Sequence, residues 1–180
     1  FVARLIHELR PRQSRPIVAV DAGTLTHQEA DLLLFGREPG WGGLSRTGLI
    51  ERANGGTLLI DEIEAANSSL QARLLSVPDT RSITPAGAER PRKLNLRVIV
   101  TRQLHDRADQ VGDSRSLFHE RLSAVRLMMA PLARRREDIA ALFRHSLVQH
   151  EAEFGLGHRR ITDDVWQHLQ THEWTGNVRE

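Results

Sequence analysis

The sequence has no cysteine, no tyrosine and a single lysine, Lys93, among its 180 residues. Without cysteine the chain forms no disulfide, no Cys-ligated zinc site and no thiol nucleophile. It also has no apolar run near the ~20 residues that a membrane helix needs, and its first residues do not form a signal peptide. We therefore expect a cytoplasmic protein with no membrane partner.

The isoelectric point is high, near 10.2, although the formal net charge is only +2. The shortage of lysine, tyrosine and cysteine explains this difference. Every basic residue of the 25 except Lys93 is arginine, which keeps its proton at any accessible pH. Because few groups titrate above neutral pH, a small positive balance persists. The field at pH 7 is weak, so the high isoelectric point does not indicate that this segment binds duplex nucleic acid.

Lys93 is not preceded by glycine or followed by serine or threonine, so the chain contains no Walker A phosphate-binding motif. It does contain the usual companion of that motif. The run Thr57-Leu-Leu-Ile ends directly on Asp61 and Glu62. At the C-terminal edge of a sheet, the first acid can hold hydrated Mg²⁺ and the second can deprotonate a water. Taken alone, the pair is equally consistent with two solvated acids that cap the next helix.

Apolar periodicity predicts alternating strands and helices up to about residue 131 and only helices after it. The predicted strands are 16–20, 57–60, 96–100 and 122–129, with a weaker one at 81–84. The predicted helices are 2–9, 28–35, 49–53, a helix from Ser68 or Ser69 that ends at Pro78, 136–154 and one that opens at Thr162. This order predicts an α/β fold with a parallel sheet, followed by a small all-helical part.

Five short motifs occur in one order along the chain. They are Leu-Phe-Gly at 34–36, Ala-Asn-Gly-Gly-Thr-Leu-Leu-Ile-Asp-Glu-Ile-Glu at 53–64, Leu-Gln-Ala-Arg-Leu-Leu at 70–75, Pro-Leu-Ala-Arg-Arg-Arg-Glu-Asp-Ile at 131–139 and Trp-Thr-Gly-Asn-Val-Arg-Glu at 174–180. With these motifs, essentially the whole chain resembles the AAA+ domain of the sigma-54-dependent transcriptional activators, the bacterial enhancer-binding proteins. Other AAA+ ATPases share the Asp-Glu strand but not the full set.

The resemblance implies a P-loop NTPase-type parallel sheet flanked by helices, followed by a helical lid. Residues 1–131 would be the α/β subdomain without its first strand and Walker A loop, and residues 132–180 an incomplete lid. In this family the Walker A loop directly precedes the helix that corresponds to the start of this chain, so the chain looks like an excerpt. Since the missing strand lies inside the family's sheet, we expect residues 1–180 alone not to form a stable nucleotide-binding domain.

Roles for individual residues also follow from the resemblance. Asp61 resembles the Walker B acid that coordinates Mg²⁺, and Glu62 resembles the catalytic base. Arg115 and Arg121 match the two arginine fingers that reach the γ-phosphate on the neighbouring subunit, and Arg179 matches the sensor II arginine near the nucleotide. For each arginine the alternative is a solvated residue without a special role. The implied cofactors are ATP and Mg²⁺.

The implied partners are further copies of the chain, in a hexameric or heptameric ring, and RNA polymerase sigma-54. DNA would be bound through a domain that is not in this chain.

The chain departs from the family pattern at four places, one of which is Pro78, where the family has an apolar helix residue. The sigma-contacting loop, Gly-Ala-Phe-Thr-Gly-Ala in the family, is replaced by the shorter stretch Gly-Trp-Gly-Gly-Leu-Ser at 40–45. The missing threonine argues against direct contact with sigma-54. Asp21 replaces an asparagine that restrains the catalytic glutamate, and a like-charge pair with Glu62 argues against fast hydrolysis. Thr-Arg-Gln at 101–103 replaces the Thr-Asn of sensor I.

Two functions therefore compete. The acid pair and the arginines favour a motor that hydrolyses ATP and remodels a transcription complex. The altered loop and Asp21 favour a degenerate regulatory or oligomerisation module with little or no ATPase activity. A third possibility, an unrelated AAA+ remodeller, is disfavoured by the motif at 174–180.

Overall fold

The computed structural model describes residues 2–9, 13–25, 29–40, 42–103 and 125–180. The chain forms two compact units, residues 1–124 and 125–180, and each has its own hydrophobic core. The boundary between them lies a few residues before the division that the sequence predicts after residue 131.

The first unit alternates strands and helices, as the sequence predicts. Its elements are α1 (Val2–Glu8), β1 (Ile17–Asp21), α2 (Ala30–Phe35), β2 (Gly36–Arg37), β3 (Arg46–Thr47), α3 (Leu49–Arg52), β4 (Thr57–Asp61), α4 (Ser68–Thr80), β5 (Ser82–Ile83), β6 (Arg92–Lys93) and β7 (Arg97–Val100).

A parallel three-stranded sheet in the order β1-β4-β7 is the centre of this unit. β4 is the middle strand, and Thr57, Leu58 and Ile60 are almost completely buried in it. A short, continuous apolar run suits such a strand because helices cover both faces of a parallel sheet. Asp21 and Asp61 are paired in register. The ends of the strands therefore lie side by side at one edge.

The core of the first unit packs α2, α3 and α4 against this sheet, and Leu34 and Ile50 are fully buried there. Burying a side chain of this size contributes about 1.5–3 kcal/mol. One buried polar contact joins α1 to the start of β4, where His7 Nδ1 lies 2.9 Å from Thr57 Oγ1. This hydrogen bond satisfies two polar groups that would otherwise be costly to bury.

Helix α4 differs from the prediction at both ends. Asn67, not Ser68 or Ser69, caps its N-terminus, since the Asn67 side chain accepts a hydrogen bond from the Leu70 backbone. Pro78 does not end the helix but lies inside it, and the helix continues to Thr80. Within a helix, proline removes one backbone hydrogen bond and its ring crowds the carbonyl four residues earlier, so other contacts must hold the last turn. The buried Val77 anchors the last turn on the core, and its carbonyl accepts from the Arg81 backbone N–H at 2.9 Å.

Two short antiparallel hairpins, β2–β3 and β5–β6, were not predicted as pairs. They are joined to each other through Ala86, whose N–H donates to the Gly36 carbonyl at 3.0 Å and whose carbonyl accepts from the Glu38 N–H at 2.9 Å. The Arg92 guanidinium strengthens this junction by forming ion pairs with both Glu38 and Glu51. The glycine-rich loop at 36–48 is therefore attached to the turn that follows β5.

The predicted strand at 122–129 is wrong in its described part. Residues 125–129 form neither strand nor helix, and residues 122–124 lie outside the described residues. The apolar side chains of this segment are largely exposed, from 53% for Met129 to 82% for Val125. An apolar run becomes a strand only when a neighbouring strand forms hydrogen bonds with its backbone N–H and C=O groups. No described strand pairs with residues 125–129.

The second unit is helical, as predicted, with α5 (Ile139–Glu153) and α6 (Asp163–Thr171) as its long elements. Its small core contains Leu132, Ile139 and Leu169, with Trp166 and Trp174 packed against them. Thr162 is in the N-cap position of α6. Among the described residues, no helix has the length and apolarity to cross a membrane.

Candidate functional site

The candidate site is the sheet rim, by which we mean the residues at and just after the C-terminal ends of the three parallel strands (21–23, 61–64 and 101–103). β4 ends on Asp61, and the chain then turns sharply at Glu62, whose backbone is left-handed with φ 51° and ψ 52°. Few residues other than glycine adopt this conformation, at a cost on the order of 1 kcal/mol. Buried Ile60 and Ile63 fix the chain on both sides of the turn. The result is an exposed pair of acids at the edge of the sheet.

The segment after β7 is fastened to this acid pair. The Thr101 hydroxyl donates a short hydrogen bond to Asp61 Oδ1 and accepts one from the Glu62 backbone N–H at 3.2 Å. Gln103 Nε2 donates to Glu62 Oε1 at 3.2 Å, and the Gln103 backbone N–H donates to Glu64 Oε1 at 2.7 Å. The carboxylates of Asp61 and Glu62 are therefore held by side chains of the neighbouring strand's end.

Asp21 lies on the other side of the acid pair. Its Oδ1 accepts a hydrogen bond of 2.9 Å from the Gly23 backbone and so caps the short 3₁₀ turn at Ala22–Thr24. A Cβ on Gly23 would lie 3.2 Å from Asp21 Oδ1 and 3.7 Å from Glu62 Oε2. The two carboxylates thus border the same small space, which is the juxtaposition that the sequence predicts for Asp21 and Glu62.

Arg179 lies in the second unit, in a short 3₁₀ helix at Asn177–Arg179, and it is exposed. Glu180 holds this turn, because its carboxylate accepts from the Gly176 backbone at 2.8 Å and from His172 Nε2 at 2.5 Å. The hydrogen bond from His172 and then the one from Gly176 lower the pKa of Glu180. The proximity of Arg179 to a nucleotide stays a prediction.

The two predicted arginine fingers, Arg115 and Arg121, lie outside the described residues, and so does Trp41 of the glycine-rich loop. The described part of that loop is organised by Arg37. The Arg37 guanidinium donates to the Leu44 carbonyl, at 3.0 and 3.2 Å, and to the Gly42 carbonyl at 3.0 Å. Leu44 itself is 88% exposed. This clamp was not predicted, since a lone arginine beside a glycine-rich loop carries no sequence signal for its partners.

A site for Mg²⁺ would rest on few protein ligands. Among the described residues, no three or more histidine, aspartate or glutamate side chains are grouped to hold a metal ion. Magnesium at phosphate-transfer sites typically uses one or two carboxylates and keeps waters and phosphate oxygens as its other ligands. The exposed carboxylates of Asp61 and Glu62, at the open edge of the sheet, fit that kind of site.

Comparison with known proteins agrees with this parallel sheet and the helical unit that follows it. Residues 1–128 match the family model described as the sigma-54 interaction domain, and residues 133–180 match the AAA+ ATPase lid domain. The chain belongs to the sigma-54 interaction domain family.

Curated relatives of this sigma-54 interaction domain are transcriptional regulators. The C4-dicarboxylate transport transcriptional regulatory protein DctD of Rhizobium meliloti is 39% identical over 99% of the chain and 40% of its own length. The transcriptional activator RocR of Bacillus subtilis is 34% identical over 99% of the chain and 39% of its own length. The chain thus spans about 40% of the length of these relatives.

Solved structures show the same fold. NtrX from Brucella abortus in complex with ATP superposes with a TM-score of 0.84 at 33% identity, over 99% of this chain and 39% of that one. Its complex with ADP gives the same TM-score and identity. Hsp104, at 20% identity and a TM-score of 0.57, covers 84% of this chain and 30% of its own and shares the fold alone. The sigma-54 interaction domain therefore has an AAA+ fold with a helical lid region after it.

Proposed function

We propose that this chain is the ATP-binding and ATP-hydrolysing module of a sigma-54-type transcriptional regulator, and that it remodels the transcription complex. The observation that carries the proposal is the sheet rim, where the Asp61 and Glu62 carboxylates are exposed and held by Thr101 and Gln103. A homologue with this fold, NtrX, has been solved with ATP.

The rim residues would divide the chemistry between them. Asp61 would hold Mg²⁺ through its waters, and Glu62 would accept the proton of the attacking water. Bound Mg²⁺ supplies positive charge that offsets the negative charge of the triphosphate. Thr101 holds the Asp61 carboxylate by donating to it and holds the Glu62 backbone by accepting from its N–H.

Other parts of the machinery would come from the second unit and from other copies of the chain. Arg115 and Arg121 of a neighbouring copy would supply planar positive charge to the terminal phosphate, which implies a ring of subunits. Arg179 would contact the nucleotide from the helical lid. The phosphate-gripping lysine must lie outside residues 1–180, since Lys93 has no Walker A context.

Sigma-54 would be the target of the motor, and DNA would be bound by another domain of the regulator. The loop at 40–45 keeps the alternative open, because it lacks the family's threonine and presents Leu44 on its surface. A degenerate regulatory or oligomerisation module would keep the fold and have little or no ATPase activity. ATP-dependent transcription from a sigma-54 promoter separates the two: the motor supports it and the degenerate module does not.

The proposal is tested by ATP turnover in the protein that carries the complete domain. Asp61→Asn removes the charge that would hold Mg²⁺, so turnover should fall by about 100-fold or more, as when one electrostatic partner of a transition state is lost. The Mg²⁺ concentration at half-maximal turnover should also rise. Asp79→Asn, an exposed change on α4, is the matched control and should turn over like the wild type. Equal turnover of the Asp61 variant and the wild type would reject the assignment.

A further inference from the structure

The turn that carries Arg179 is fastened to the start of the second unit by the side chain of Asn177. Its Oδ1 accepts a hydrogen bond of 2.8 Å from the Leu132 backbone N–H. Leu132 is the first residue of the 3₁₀ turn Leu132–Arg134, and the first N–H groups of a helical turn have no partner within it. Pro131, in the N-cap position, has an apolar side chain and offers no acceptor. Asn177 therefore supplies the acceptor from 45 positions along the chain.

Leu132 is well fixed in the second unit. Its side chain is 2% exposed and belongs to the small core, together with Ile139 and Leu169. Its carbonyl accepts from the Arg135 N–H at 3.0 Å. Because a closely packed core leaves its side chains little freedom, the Leu132 backbone is a firm partner. The hydrogen bond therefore fixes Asn177 relative to the core.

The backbone at Asn177 is also suited to asparagine. Its φ is 57°, in the left-handed region, which asparagine and aspartate adopt more readily than other residues with a Cβ. Its N–H donates to the Trp174 carbonyl at 2.9 Å, and the Trp174 indole donates to the Leu169 carbonyl at 2.9 Å. The turn is thus held at Trp174 and at Asn177, and Arg179 follows within the single 3₁₀ turn Asn177–Arg179.

We propose that Asn177 is the positioning residue for Arg179, and that it sets where this exposed arginine meets the phosphates of a bound nucleotide. Asn177 combines a left-handed backbone with a side-chain oxygen that holds the turn on Leu132. Glycine would keep only the backbone conformation, and aspartate would keep both properties. This inference rests on the proposed function, because Arg179 contacts a nucleotide only if the complete domain binds one.

The first test measures the Kd for ATP with Mg²⁺ in the protein that carries the complete domain. Arg179→Ala should raise the Kd about tenfold or more, because a hydrogen bond to a charged group is lost. Asn177→Gly should raise it about fivefold, since a misplaced group loses only part of its interaction. Asn177→Asp keeps the acceptor for the Leu132 N–H and should bind ATP nearly as well as the wild type. Thr175→Gly, an exposed change in the same turn, is the matched control for added backbone freedom.

The double variant of Asn177→Gly and Arg179→Ala separates positioning from a general loss of structure. If Asn177 acts through Arg179, its change adds nothing to the effect of Arg179→Ala, because the two residues act as one unit. The same loss of affinity in both backgrounds overturns the inference. An unchanged Kd in Asn177→Gly, or weak binding in Asn177→Asp, also overturns it.

A second measurement needs no nucleotide. Hydrogen exchange of the Leu132 amide should be faster in Asn177→Gly and unchanged in Asn177→Asp, since only glycine removes the acceptor. Equal exchange in the wild type and Asn177→Gly would show that the hydrogen bond is absent in solution. A wild type that binds no ATP contradicts the proposed function and with it the role of Arg179, whereas a failure confined to the Asn177 variants contradicts this inference alone.

Discussion

Glu180 holds the turn that carries Arg179 through two hydrogen bonds, one from the His172 ring and one from the Gly176 backbone. These bonds lower the pKa of Glu180. Its contribution to the free energy of unfolding is therefore fully present above its unfolded pKa of about 4.3. It is lost as the pH falls through the lower pKa of the folded state. We expect the turn to loosen in that acidic range.

Trp174 can report this loosening, because its ring lies 5.1 Å from that of His172. Tryptophan fluorescence during thermal unfolding should show stability falling below about pH 4.3, and Glu180→Gln should remove this part of the pH dependence. Glu173→Gln, on the same exposed stretch, is the matched control. An identical pH profile for wild type and Glu180→Gln would contradict the assignment.

The residues that could be predicted at the sheet rim are those with a local pattern. Asp61 and Glu62 follow an apolar run, so their position at the edge of a strand could be read from the sequence. Gln103 and Arg92 could not be assigned roles in this way. Gln103 meets Glu62, 41 positions away, and Arg92 meets Glu38, 54 positions away. Only the folded sheet and hairpins bring these pairs together.

Among the elements, the three sheet strands and the longer helices were predicted because their apolar periodicity extends over several residues. The four two-residue strands of the described residues are too short for a period, and only β5 falls within a predicted strand, the weaker one at 81–84. β6 consists of Arg92 and Lys93 alone, so no local pattern indicates it. In the segment 125–129 the error is the opposite one, because the sequence predicts a strand where the structure has none. Its composition favours a strand, but a strand also needs a partner, which composition does not reveal.

Pro78 gives an element-scale prediction. Within a helix a proline costs ~3 kcal/mol relative to alanine, although it also restricts the unfolded chain, which offsets ~0.4–1 kcal/mol. Because Pro78 lies in the last turn of α4, we expect Pro78→Ala to raise the free energy of unfolding by about 1–2 kcal/mol. Urea unfolding measures this change. Pro39→Ala, outside any helix, is the control. If Pro78→Ala raises the free energy of unfolding no more than the control does, the helix already accommodates the proline ring.

For the whole molecule, the sheet explains why residues 1–180 alone should be unstable. Among the described residues, β7 pairs only with β4 and has no second neighbour. The apolar segment 125–129 is more than half exposed. Within the part of the chain that the structure describes, both features leave backbone or apolar groups without partners, which lowers stability.

We therefore expect the isolated segment to unfold gradually in urea, with no cooperative transition in circular dichroism. The protein that carries the complete domain is the control and should unfold cooperatively. Cooperative unfolding of residues 1–180 together with tight ATP binding would contradict this expectation.

The central claim is that Asp61 and Glu62 of one copy and Arg115 and Arg121 of a neighbouring copy act on one terminal phosphate. Phosphate release from ATP by the complete domain tests it most directly. Glu62→Gln should keep ATP affinity and lose turnover by about 100-fold or more, because the general base is gone. Arg121→Ala should lose turnover by a similar factor, and mixing it with Glu62→Gln subunits should restore part of the activity, since an intact site then forms between copies. Turnover that is unchanged in both variants would contradict the account.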